Sequence, residues 1–148
     1  MSAPNGVNFR NAGKSTSEDG INPATAAAMC SGMPPLWWSA ARLKWADDTS
    51  GIKMLYNELS RLANQLKDIE QWRIPKDRDY IDKFAMLALL EVTQPTKWKH
   101  DSHKADFIGM DKSVFYRTWK KRYEVIYRQV DDWCSSALSY IYKINSTV

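Results

Sequence analysis

The stretch His103–Tyr123, HKADFIGMDKSVFYRTWKKRY, decides how the rest of the chain is read. Where a second helix crosses a first one closely, the first needs a small residue at the crossing. A glycine four positions later lets the turn take a positive φ, and an apolar residue six beyond it locks the second helix down. Ala105, Gly109 and Phe115 meet those three demands. Phe107 or Ile108, together with Met110, supplies a small core, and Asp111 stands at an N-cap position ahead of Lys112 and Ser113. The spacing predicts a helix, a tight turn and a second helix, a helix-turn-helix over about residues 98–123.

On the second helix, helical projection turns Phe115 and Trp119 inward, with Val114 and Thr118 at the flank. Lys112, Ser113, Tyr116, Arg117, Lys120 and Lys121 fall mostly outward. Side chains of these kinds pair with base edges and phosphates, and the front of such a helix goes deepest into the major groove of DNA. Ser113, Tyr116 and Arg117 are therefore expected near bases. Lys120 and Lys121 are expected on phosphates, joined by Lys97, Lys99 and Lys104 from the preceding segment.

Charge distribution points to the same place. Residues 1–95 carry eleven Lys/Arg and eleven Asp/Glu, whereas residues 96–148 carry ten against six, so the net +4 lies wholly in the last third. A neutral body with one basic segment suggests a local polyanion-binding surface. The alternative is a solvated basic face with no ligand.

Beyond Tyr123 the inward stripe continues through Ile126, Val130, Trp133, Ala137, Ile141 and Ile144 without Gly or Pro. That pattern predicts a long C-terminal amphipathic helix, continuous or broken near Asp131-Asp132. Its end is expected to pack on the helix before it in sequence with the strongest stripe, or on another subunit. That helix carries Ile52, Leu55, Leu59, Leu62, Leu66 and Ile69, widened by Tyr56, Ala63 and Trp72, and is closed by Arg73-Ile74-Pro75. A helix over Asp77–Val92 follows, with Asp79 as N-cap and apolar residues on almost every side, as expected of the most buried helix. Pro34-Pro35 opens a shorter helix, Leu36–Ala46. Trp37, Trp38 and Trp45 with Arg42 give it aromatic residues on more than one side, which either cover the core or dock onto another protein. No strand-like alternation and no internal repeat occur. The fold class is all-α: residues 34–148 form a single helical domain containing the helix-turn-helix, behind a flexible N-terminal arm, residues 1–33.

Other chemistry finds little footing. NAGKST (Asn11–Thr16) matches part of a phosphate-binding loop, but Asn8 stands where the loop needs glycine, and no strand precedes it. His100 and His103 lack the cysteines or carboxylates of a zinc site, so no metal is expected, and no cofactor. Nothing marks a catalytic nucleophile, and the chain is read as a non-enzyme. Two cysteines, Cys30 and Cys134, suit a reducing compartment, and no run approaches the roughly 20 apolar residues needed to span a bilayer. A cytoplasmic location is expected.

The segments DYIDKFAMLALLEV and KADFIGMDKSVFYRTWKKRYEVIYRQVDDW, within residues 79–145, resemble the Q-type late-gene antitermination proteins of lambdoid phages. The likeness is to the small zinc-free kind and to the related AlpA-type activators of prophage lysis genes, since the paired cysteines of the zinc-containing branch are missing. The resemblance implies a transcription antitermination factor that binds a promoter-proximal element of double-stranded DNA through its helix-turn-helix. It would then load onto paused RNA polymerase, with sigma factor still present. The nascent RNA would thread past it, so that terminator hairpins cannot form at the exit channel. It also implies that Lys112, Ser113, Tyr116, Arg117, Lys120 and Lys121 carry DNA recognition. The aromatic helix, with Trp37, Trp38, Arg42 and Trp45, is the candidate polymerase contact. Two other readings stay open: a simple DNA-binding regulator, and a DNA-packaging protein like the small terminase subunits of phages.

Overall fold

The computed structural model describes residues 32–147, and among them every regular element is a helix. The helices are α1 (Pro35–Ala46), α2 (Ile52–Glu70), α3 (Tyr80–Thr93), α4 (Asp101–Ile108), α5 (Lys112–Val114), a π-helical turn (Phe115–Trp119) and α6 (Lys120–Thr147). The arm expected over residues 1–33 and the NAGKST stretch lie outside the described residues, except for Gly32 and Met33. Among the described residues no helix is long and apolar enough to cross a membrane.

The described chain divides into two compact units. Among the described residues, one unit combines those up to Lys53 with those from Asp132; the other is Met54–Asp131. Helix α6 belongs to both, since it runs unbroken through Asp131-Asp132.

In the first unit, Pro34 and Pro35 start α1 where the first backbone N–H groups have no intrahelical partner. The amides of Trp37 and Trp38 donate to the Pro34 carbonyl at 3.1 and 3.3 Å. The helix ends with Asp47 in the left-handed region (φ 55°), and the Asp48 amide donates back to the Arg42 carbonyl at 3.1 Å. Asp48 then accepts the Ser50 amide at 2.8 Å and pairs with the Arg42 guanidinium. The Ser50 hydrogen bonds, with the Arg42 charge behind them, hold its carboxyl below the usual value. Met33, Ala41, Ala137 and Ile141 form a buried cluster, against which Trp37, Trp38, Trp45, Leu138 and Tyr140 pack. Within this unit the end of α6 therefore finds its apolar partners on α1, and Met33, expected in the arm, is a core residue.

The second unit centres on α3, which buries Tyr80, Phe84, Ala85, Leu87, Ala88, Leu89 and Val92, as its all-round apolar character required. Met86 is 42% exposed, and Ile81 and Leu90 are half-buried. On α2 the stripe sinks at Leu55, Leu59 and Ala63, but Ile69 at its end is 69% exposed. That helix stops at Glu70, short of Pro75. Gln71 adopts φ 56°, and the Trp72 amide donates to the Lys67 carbonyl at 2.9 Å. Trp72 is thus a residue of the loop and not of the helical stripe. The turn swings its ring edge-on to Phe84 and Trp119, with centroids 6.2 and 5.7 Å away. Tyr80 meets Trp119 at 5.3 Å, and Arg122 covers the Trp119 ring at 4.5 Å. Edge-on ring pairs contribute about 0.5–1.5 kcal/mol each beyond the area they bury, so this cluster ties the π-helical turn at the head of α6 to α3.

The π-helical turn has a local cause. Phe115, Trp119 and Tyr123 are all buried, yet they are spaced four and four. An α-helix advances 40° past a full circle in four residues, so two such steps carry the third ring away from the first. A wider turn from Phe115 to Trp119 absorbs the drift and keeps all three rings inward.

Candidate nucleic-acid interface

The helix-turn-helix forms as its spacing required. Ala105 and Phe115 are fully buried and Ile108 is 2% exposed. Gly109 takes φ 93°, and its amide and that of Met110 both donate to the Ala105 carbonyl, at 2.8 and 3.0 Å. Those two hydrogen bonds to one carbonyl end α4 and aim the chain into the second helix. Asp111 has the extended backbone of an N-cap, and its carbonyl accepts the Phe115 amide at 2.9 Å. Its side chain makes no capping bond. Phe107 is half-buried and sits edge-on to Trp98 at 5.4 Å, with the Lys83 ammonium over its ring at 5.0 Å.

Outward from this frame stand Lys112, Ser113, Tyr116, Arg117 and Lys121, all exposed. The Arg117 Nε donates to the Ser113 carbonyl at 3.3 Å, which draws the guanidinium along the helix front. Lys97, Lys99, His100 and His103 are also exposed. The His103 ring nitrogen Nδ1 lies 3.4 Å from the Lys97 carbonyl, and the two imidazoles meet edge-on at 5.7 Å.

Two of the expected phosphate contacts are placed differently. Lys104 is buried, at 9% exposed. Its Nζ lies 3.3 Å from Glu91 Oε1, and the Tyr123 hydroxyl donates to that same oxygen at 2.7 Å. The ammonium also lies over the Tyr123 ring, 5.5 Å from its centroid. Burial first, then the negative charge of Glu91, pushes the Tyr123 hydroxyl far above its ordinary pKa, so it stays a proton donor. Lys104 therefore braces α4 against α3 and α6, with its ammonium engaged inside the fold. Lys120 is the second case. Its Nζ donates to Asp101 Oδ2 at 3.1 Å, a bond that raises the lysine pKa, and it stands over the Tyr116 ring at 5.3 Å.

The residues expected to contact a polymerase are engaged within their own unit. Trp37, Trp38 and Trp45 are half-buried against the Met33–Ala41–Ala137–Ile141 cluster. Arg42 pairs with Asp48 and covers the Trp38 ring at 5.6 Å. These rings cover the core of their unit and keep part of their surface outward.

Sequence reasoning did not find Glu91 or Asp101. Each is an acid far along the chain from the cation it meets, and no local spacing signals such a pair. What remains outward is a helix front with Arg117, Lys112 and Lys121 as cations and Ser113 and Tyr116 between them. That set can pair with guanine O6 and N7, donate to phosphate oxygens and pack on a base edge. Comparison with known proteins gives no match for this chain among family models, curated proteins or solved structures.

Proposed function

We propose that this chain binds double-stranded DNA by placing the segment from Lys112 to Lys121 in the major groove, and that it acts there as a transcription antitermination factor. The observation that carries the first part is the outward front of the second helix. Its cations and Tyr116 are exposed on a frame closed by Gly109 and Phe115. A helix presented this way over a buried crossing is the kind of element that major-groove readers use, which supports the reading. Arg117 is assigned to a guanine, Ser113 and Tyr116 to neighbouring base edges, and Lys112, Lys121, Lys97 and Lys99 to phosphates.

The resemblance to Q-type proteins supports the second part. A second compact unit, built from α1 and the end of α6, adds to it, since a bare DNA-binding motif needs no such unit. In this reading the protein loads onto RNA polymerase paused near its site, travels with it and keeps terminator hairpins from forming in the RNA exit channel.

Run-off transcription across a terminator tests it. The template carries, upstream of the pause, a duplex site selected by the protein itself. Readthrough is expected only with site and protein together. DNA binding without readthrough leaves a simple regulator of initiation. A many-membered ring by solution mass measurement replaces both with a packaging role like that of small terminase subunits.

A further inference from the structure

One set of contacts on the outward front goes beyond what charge attraction to DNA requires. Tyr116 is 65% exposed, the largest ring so open on this helix. A ring this exposed gains little from apolar burial, which leaves contacts with its neighbours to bias its position. The Lys120 ammonium stands over one of its faces, 5.3 Å from the centroid. That ammonium is itself anchored to Asp101 Oδ2 at 3.1 Å, with side chains 35% and 17% exposed. Asp101 lies in the first turn of α4, so the two helices of the motif are joined through Asp101, Lys120 and Tyr116 in series.

A lysine held this way is a poor phosphate ligand. The carboxylate beside it cancels its charge, so docking it on a phosphate would release little bound counterion. The ring it steadies has its other face available for apolar surface. Among the groups displayed on base edges in the major groove, the C5-methyl of thymine is the apolar one. Building on the DNA-binding role proposed above, we propose that Tyr116 is a specificity-determining residue whose ring packs on a thymine methyl, and that Lys120 and Asp101 are positioning residues that hold it.

The test uses the full chain and a duplex enriched from a library with a randomised core, with a shuffled duplex of the same composition as reference. Each thymine of the enriched duplex is replaced in turn by deoxyuridine, which removes only the methyl group. At one position the unmodified protein is expected to lose about three- to five-fold in affinity, the worth of one buried methyl-sized group. Tyr116→Phe keeps that preference and Tyr116→Ala abolishes it. Lys120→Met is expected to reduce the preference for thymine over deoxyuridine and to leave the salt dependence of binding unchanged, and Lys120→Arg restores the preference. If Lys120→Met instead lowers the slope of log affinity against log salt by about 0.9 with the preference intact, Lys120 is a phosphate contact and the proposal fails. Tight, sequence-selective binding that is indifferent to every deoxyuridine overturns the thymine assignment alone, and that arm needs no variant to fold. Failure to bind any duplex overturns the DNA-binding reading itself.

Discussion

The two helices of the motif use their cations in opposite ways. On α4, Lys104 is buried against Glu91 and under Tyr123, where its charge serves the packing of three helices. On the second helix, Lys112, Arg117 and Lys121 face outward, where their charge is available to a ligand. Lys120 lies between the two cases, half-exposed and tied to Asp101. A net positive count over a stretch of sequence therefore overstates the charge available to a polyanion. What decides is which acids the fold brings beneath each cation.

The contrast breaks first at Lys104, where the largest effect is expected. Lys104→Ala leaves Glu91 buried without its cation and should cost about 3–5 kcal/mol of stability in urea unfolding. The paired replacement of Glu91→Leu with Lys104→Met should recover most of that loss. A Lys104→Ala protein of unchanged stability but weakened DNA binding would invert the comparison. Next comes Arg117→Ala, expected to reduce discrimination between selected and shuffled duplexes by about 1–3 kcal/mol while leaving the unfolding midpoint in place. A smaller effect is expected for Lys121→Ala. It should weaken both duplexes alike and lower the salt slope by about 0.9, read by fluorescence anisotropy over a salt series.

The smallest effect sharpens the contrast from the first unit, where Arg42 is again a cation claimed by an acid. The pKa of Asp48 is lowered in the folded state, chiefly by the Ser50 amide. Its contribution, under about 1 kcal/mol, is therefore present above the unfolded-state pKa and lost as pH falls below about 4. Acid titration of stability should show a shallower acid limb in Asp48→Asn than in the unmodified chain.

The helices and the motif were legible because they rest on local rules. Periodic apolar residues fixed α2 and α3. Gly109 between Ala105 and Phe115 fixed the turn, and the unbroken stripe past Tyr123 fixed the long helix. Other features depended on distant partners. Trp72 reads as one more residue of the α2 stripe until Gln71 takes a left-handed turn and sends it to Phe84 and Trp119. Lys104 reads as one more basic residue until Glu91, thirteen positions away, sits beneath it. Trp37, Trp38 and Trp45 read as residues that cover a core or meet a partner. The core they cover includes Ala137 and Ile141, about a hundred positions further along, which no local pattern on α1 signals.

The π-helical turn also bears on how the outward front could vary. Removing one outward residue between Phe115 and Trp119, Thr118 for example, would space the inner rings and their successors three, four, three, four, the rhythm of an uninterrupted α-helix. The turn thus has the form of a single-residue insertion that the packed side never registers. Lengthening or shortening the chain here would shift the outward side chains along the helix while the buried ones keep their places. On the DNA-binding reading proposed above, changes in chain length at this point offer a route to new binding preferences that point substitutions do not.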